Sequence, residues 1–165
     1  MPGKRTRKQA PKASRPQIPG YGLPKSRKGL LSWSWAEQRL KQSHNYWIST
    51  ARPDGTPHTM IVWGLWLEGR FYFSTGQKSR KARNLAANPR CVICSERAEQ
   101  AVVVEGVAEL VSDRMIREQF GDLYQKKYKW DMTDFSEPIY VVRPRVAFGL
   151  FEKKFMASAT RWTFE

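Results

Sequence analysis

Five cationic side chains crowd into thirteen residues: Lys78, Arg80, Lys81, Arg83 and Arg90. The hydroxyls of Ser74 and Thr75 precede them, and Ser79 lies among them. Such residues can grip an anion. A helix starting near Ser79 would leave unpaired backbone N–H groups at its first turn, and these favour negative charge. Arg can hold a phosphate through two bonds, and Lys adds a point charge. The same residues also read as an ordinary cationic helix face turned to water. His58, beside a turn, is a polar helper for a substrate carbonyl or a cofactor oxygen, or simply a solvated residue. Trp63, Trp66 and Trp162 are flat walls for a conjugated ring, or core. No nucleophile–base pair stands out as catalytic.

Local signals place these residues on elements. Ser32 or Ser34 caps a helix over 34–44. Strands follow at about 46–52, 57–67 and 70–75, divided by Pro53-Asp54-Gly55 and by Leu67-Glu68-Gly69-Arg70. "QKSRKARNLAANP" reads as a short helix that opens near Ser79 and stops at Pro89. "RCVICSERA" and "EQAVVVEGVAELVS" form a hairpin with Gly106 as a candidate bulge. Asp113 caps a helix to Tyr128, with Met115, Ile116, Phe120 and Leu123 on one side. "PIYVVRPRVAFGLFE" and "FMASATRWTFE" make the last two strands, with Pro144 marking an edge or bulge. Seven strands with peripheral helices predict a mainly β fold, a closed antiparallel barrel or a sandwich.

The bulk numbers bound the rest. The 165 residues suit one domain with a real core. The formal charge is +14, and nine of the 29 Lys and Arg fall in residues 1–29, which hold no acid. That segment is Pro-rich and poor in apolar residues, so residues 1–28 are expected to be a disordered basic tail and 29–165 the folded domain. The tail is a solubilising extension or a nucleic-acid contact, the first being favoured. No apolar run spans a bilayer. Two cysteines without a secretory signal suggest the cytoplasm. Cys91 and Cys94, three apart on a strand, read as buried thiols rather than a redox pair. Two His and one Cys pair do not make a zinc site.

The run "YWISTARPDGTPHTMIVWGLWLEGRFYFSTGQKSRKARNLAANPRCVI" resembles the pyridoxamine-phosphate-oxidase-like family of flavin- and deazaflavin-dependent oxidoreductases. The shared features are the Arg-Pro-Asp-Gly-x-Pro hairpin, "Phe-Ser-Thr", the Ser-x-Lys helix and "Asn-Leu-x-x-Asn-Pro". "VVVEGVAELVSD" and the terminal "TRW.F" extend the likeness over residues 33–165. The resemblance implies a split β-barrel that forms a homodimer, with a flavin-type cofactor between the subunits. It implies that Thr75, Ser79, Arg80 and Lys81 approach the cofactor phosphate. His58, Thr59, Met60, Ile61, Val62 and Trp63 would line the isoalloxazine. Trp66 and Trp162, by their flat aromatic faces rather than by the resemblance, are the candidate substrate walls. Asn84 and Pro89 would shape the short helix.

The second strand, "HTMIVWGLW", lacks the Arg and Lys with which pyridoxamine-phosphate oxidases bracket theirs. The expectation is therefore a general flavin or deazaflavin oxidoreductase acting on a small conjugated organic molecule. FMN needs only a phosphate clamp and a ring slot. Deazaflavin F-420, with an anionic tail, would gain from Lys78, Arg83 and Arg90. The alternatives are a non-catalytic flavin- or haem-binding barrel, and a nucleic-acid-associated protein acting through its tail.

Overall fold

The computed structural model describes residues 10–165. In chain order the elements are β1 (Lys12–Ser14), α1 (Trp33–Gln42), β2 (Tyr46–Ala51), β3 (Pro57–Val62), β4 (Gly64–Leu67), β5 (Arg70–Ser74), α2 (Arg80–Ala87), β6 (Arg90–Ser95), β7 (Val102–Leu110), α3 (Arg114–Tyr128), β8 (Ile139–Gly149), α4 (Phe155–Ser158) and β9 (Thr160–Thr163). Three caps follow from local chemistry. The Ser32, Ser79 and Asp113 side chains accept from the amides of Trp35, Ala82 and Ile116 at 3.2, 3.2 and 3.0 Å. The helix expected over 34–44 thus runs from Trp33 to Gln42.

All nine strands join one antiparallel sheet in the path β1-β9-β8-β7-β6-β2-β3, with β4 on β5 and β5 on β8. β8 is the shared wall. Its first half pairs with β5, its second half with β9, and β7 runs along its other edge. Because β3 continues into β4 through Trp63, the chain itself closes the split barrel. Gly106 sits at a bulge opposite Pro144, where proline's missing N–H does no harm to the ladder. Tyr46, Ile48, Phe71, Phe73, Ile93, Val102, Val104, Val142 and Trp162 fill the interior. Each such side chain contributes roughly 1.5–3 kcal/mol by leaving water.

The structure corrects four expectations. The single strand over 57–67 is two strands, because β3 pairs with β2 while β4 pairs with β5. At the switch, a Cβ on Gly64 would lie 2.2 Å from Phe71 Cζ, so only glycine lets the backbone pass. "FMASATRWTFE" is a helical turn and then a strand, not a strand throughout. On α3 the buried side carries Phe120 and Tyr128, whereas Met115 is 79% exposed and Ile116 also faces water.

The fourth correction concerns the tail. Residues 12–14 form β1 on the edge of β9, with Lys12 opposite Thr163. The Arg15 guanidinium donates to four carbonyls, those of Ser26, Lys28, Ala157 and Ala159, at 2.6–3.0 Å. Backbone edge bonding orders this segment, and composition does not register it. The part of the disorder expectation that falls on residues 1–9 lies outside the described residues. Among the described residues no helix is long and apolar enough to cross a membrane.

Candidate functional site

The corner where β5 gives way to α2 gathers most of the predicted anion-binding residues. The Thr75 and Ser79 hydroxyls are 3.0 Å apart. Ser79 Oγ caps α2 by accepting from Ala82 N, and its carbonyl accepts from Arg83 N. That leaves the amides of Arg80 and Lys81 as the outward donors of the first turn. Ser74 belongs elsewhere, since its hydroxyl donates to Pro138 O at 2.6 Å. Burial lowers the pKa of Lys81.

His58 connects this corner to the β2–β3 hairpin. Its pKa is lowered by burial, then by the charges of Lys81, Arg52 and Arg80. Those three cations therefore share one electrostatic neighbourhood with the imidazole, which is held toward its neutral form. Sequence reasoning missed Arg52, hidden in a turn motif that explains itself without a ligand. Asn84 is fully buried and donates to Thr50 Oγ1 at 3.0 Å, which ties α2 to β2. Its Oδ1 has no partner.

Strand alternation divides the ring-lining set predicted on β3. His58, Met60 and Val62 stand opposite Thr50, Ile48 and Tyr46, whose side chains are buried on the α2 side. Thr59 and Ile61 stand opposite Ser49 and Trp47 on the other face. Val62 is in the core. His58 and Met60 thus share the cation corner's face, Met60 with nearly half its surface open. Thr59 and Ile61 do not, and only β3 backbone groups are available to both faces. β3 ends the sheet path, so one of its edges is unpaired within the chain.

The three tryptophans also separate. Trp66 is buried and donates to Glu37 Oε1 at 3.2 Å. Trp162 is fully buried, edge-on to Trp33 at 5.3 Å. Both fill the core beside Trp33 and neither is a substrate wall. Trp63 is half-buried at the β3–β4 break, among His44, Tyr124, Tyr128 and Trp130. Cys91 is buried, its thiol pushed up to about 12 by burial. Cys94 is only half-buried, because it points outward beside Trp47. Two cavities, of about 530 and 320 Å³, lie at α3 and beside Arg39, and neither is lined by a residue of the cation corner.

The donor set fits a phosphate: the Ser79 hydroxyl, which Thr75 Oγ1 donates to and which keeps its own proton, two helix-start amides, two adjacent cations, and a third on the hairpin. Residues 35–155 match the family model described as pyridoxamine 5'-phosphate oxidase. The chain belongs to that family, whose split-barrel fold it shares. Among solved structures it is similar to an F420 reductase: 26% identity, 67% of this chain, 94% of that one, TM-score 0.56. A conserved hypothetical protein from Mycobacterium tuberculosis aligns over 84% of this chain and 92% of its own, at 20% identity and TM-score 0.69. A FAD-binding protein from Mesorhizobium loti aligns over 81% and 96%, at 15% identity and TM-score 0.60. No curated protein matches the chain at a significant level.

Proposed function

We propose that this protein is a flavin-type oxidoreductase that holds FMN or deazaflavin F-420 by a phosphate at the start of α2. It moves a hydride to or from a small conjugated organic molecule. The observation that carries this reading is the convergence of Thr75, Ser79, Arg80 and Lys81 at one corner, with His58 and Arg52 in electrostatic range. When bound, such a coenzyme supplies the hydride chemistry itself.

This chain's residues then have simple tasks. The Ser79 hydroxyl, which accepts from Thr75 Oγ1 and Ala82 N and keeps its own proton, and the first-turn amides donate to phosphate oxygens, while Arg80 and Lys81 neutralise its charge. His58, held toward neutral, presents an N–H or a lone pair to a ring or substrate oxygen. Met60 shields that face from water. β3 carries no Arg or Lys between His58 and Trp63, which favours a general flavin or deazaflavin activity over vitamin B6 oxidation.

The corner is open on a single chain, and a second copy suits the sheet's other face. Registers align Ile61, Trp47, Cys94, Val103 and Phe148 in one row across β3, β2, β6, β7 and β8. Ile61 and Trp47 are 50% and 45% exposed. A homodimer would cover this row. The free thiols Cys91 and Cys94 suit a reducing cytoplasm.

The test is an absorption spectrum of the purified protein, followed by titration with FMN and with deazaflavin F-420. The pair Arg80→Glu and Lys81→Glu should weaken coenzyme binding by roughly a hundredfold or more. Unchanged affinity overturns the phosphate assignment. A bound coenzyme with no turnover of any quinone, enone or tetrapyrrole favours a storage or sensing role.

A further inference from the structure

Lys127 reaches back from the last turn of α3 and lies over two phenol rings. Its Nζ is 4.9 Å from the Tyr46 ring centroid and 5.1 Å from that of Tyr128. It donates to Tyr46 Oη at 2.9 Å and to Gly64 O at 3.0 Å. Among the described residues no carboxylate comes within ion-pair distance of it. The next residue grips the same spot. Tyr128 Oη accepts from Gly64 N at 2.9 Å and has Gly64 O and His44 O at 2.8 Å as acceptors for its one proton. Trp63, immediately before Gly64, stacks on the Tyr128 ring. One turn of α3 thus holds the junction where β3 ends and β4 begins.

The ammonium does not carry the hydrogen bonding of this junction alone, and a neutral donor could serve the same acceptors. Tyr46 Oη already donates to Leu40 O, and the single Tyr128 proton is shared between Gly64 O and His44 O, so Lys127 is one of two donors available to Gly64 O. A cation taken out of water without a counter-charge is unfavourable to the fold. Burial accordingly lowers the pKa of Lys127 to about 8, with a smaller opposing influence from Glu96. A methionine could fill the same space without that penalty. A charge kept under these conditions points to a task beyond stability.

We propose that Lys127 is a positioning residue: its ammonium, together with the Tyr128 phenol, fixes Gly64 and Trp63 so that the end of β3 keeps a single geometry toward the coenzyme ring. The part concerning the ring rests on the function proposed above. The other titratable groups near Lys127 are Tyr46 from β2, Tyr128 and Tyr124 on α3, His44 from the α1–β2 link, and Glu96 after β6. Loss of the Lys127 proton removes the attraction to both ring faces and weakens the bond to Gly64 O. Trp63 should then loosen.

The experiment uses the full-length protein without coenzyme. Near-ultraviolet circular dichroism is followed from pH 6.5 to 9.5 for wild type, Lys127→Met, Lys127→Arg and Trp63→Phe. Wild type should show a transition centred near pH 8. Trp63→Phe and Lys127→Met should lack it, and Lys127→Arg should keep the low-pH spectrum throughout. No transition in wild type, or its survival in Lys127→Met, overturns the latch. If Lys127→Met fails to fold, Lys127→Arg decides in the same way.

A second arm measures FMN and deazaflavin F-420 affinity at pH 7. Lys127→Met should weaken whichever one binds by roughly tenfold. Unchanged affinity overturns the link from latch to ring. Failure of wild type to bind either coenzyme overturns the coenzyme reading instead, and the dichroism arm then decides the latch alone.

Discussion

The Trp63 indole lies face to face with the Tyr128 phenol, 4.7 Å between centroids and 5° from parallel. Offset stacking of this kind contributes about 0.5–1.5 kcal/mol beyond the area it buries. Here it also joins two distant segments. Trp63 directly follows the strand that carries His58 and Met60, and Tyr128 ends α3.

The lysine beneath this stack makes stability depend on pH. Lys127 has a folded pKa of about 8 against an ordinary 10.5. Between those values the unfolded chain binds more protons than the native one, so stability rises with pH. The Cys91 and Cys94 thiols, and at higher pH the Tyr46 and Tyr128 phenols, are shifted upward, so their contributions fall above roughly pH 8.5 and oppose the lysine. Urea unfolding from pH 7.5 to 9.5 should therefore show stability rising with pH more steeply, or falling less, in wild type than in Lys127→Met.

Gly64→Ala should be among the worst small substitutions in the barrel. Its Cβ would meet Phe71 Cζ at 2.2 Å and Tyr72 O at 2.7 Å, and Phe71 is fully buried. Overpacking of this kind costs about 1–3 kcal/mol, and more where backbone is the obstacle. Thermal unfolding checks the loss.

Trp47→Glu should leave the fold intact, because the side chain is 45% exposed on the outer sheet face. If a second copy covers the row of Ile61, Trp47, Cys94, Val103 and Phe148, two buried like charges should split the dimer. Sedimentation velocity should then change from dimer to monomer. A wild type that sediments as a monomer would end the dimer reading.

Arg15→Ala removes four donors that hold residues 26, 28, 157 and 159 together. Hydrogen exchange should speed up in β1, in residues 15–29 and along β9. The cation corner follows β5, which pairs with the first half of β8 whereas β9 pairs with the second half, and it should be unaffected. Equal protection in wild type and variant would show that β1 alone holds the segment.

The readable parts of this fold rested on local chemistry. Ser79 and Pro89 bracket α2, Asp54-Gly55 turns the β2–β3 hairpin, and Gly106 faces Pro144 at the bulge. Each signal lies within a few residues of what it specifies. The break at Trp63 is different. "HTMIVWGLWL" is apolar throughout its second half, and the change of partner from β2 to β5 is a long-range event with no local mark except Gly64. The tryptophans show the same limit. Trp63, Trp66 and Trp162 are alike in type, and only tertiary packing sends two into the core and one to the α3 junction. The tail was misread because apolar content measures burial, whereas β1 is held by strand-edge bonds and one guanidinium. The cation corner was legible as a cluster. Its coupling to Arg52 and His58 needed the barrel to bring the hairpin over α2.

The Lys12–Thr163 pairing sets the first strand, β1, beside the last, β9, on one margin of the sheet. Six strand spacings separate that margin from β3, roughly 29 Å measured along the curved surface. An affinity tag or surface tether attached beyond β9 would therefore leave the opposite border unobstructed. A short peptide bridging residue 165 to residue 10, with residues 1–9 removed, offers a route to a circularly permuted version reopened at the Asp54-Gly55 turn.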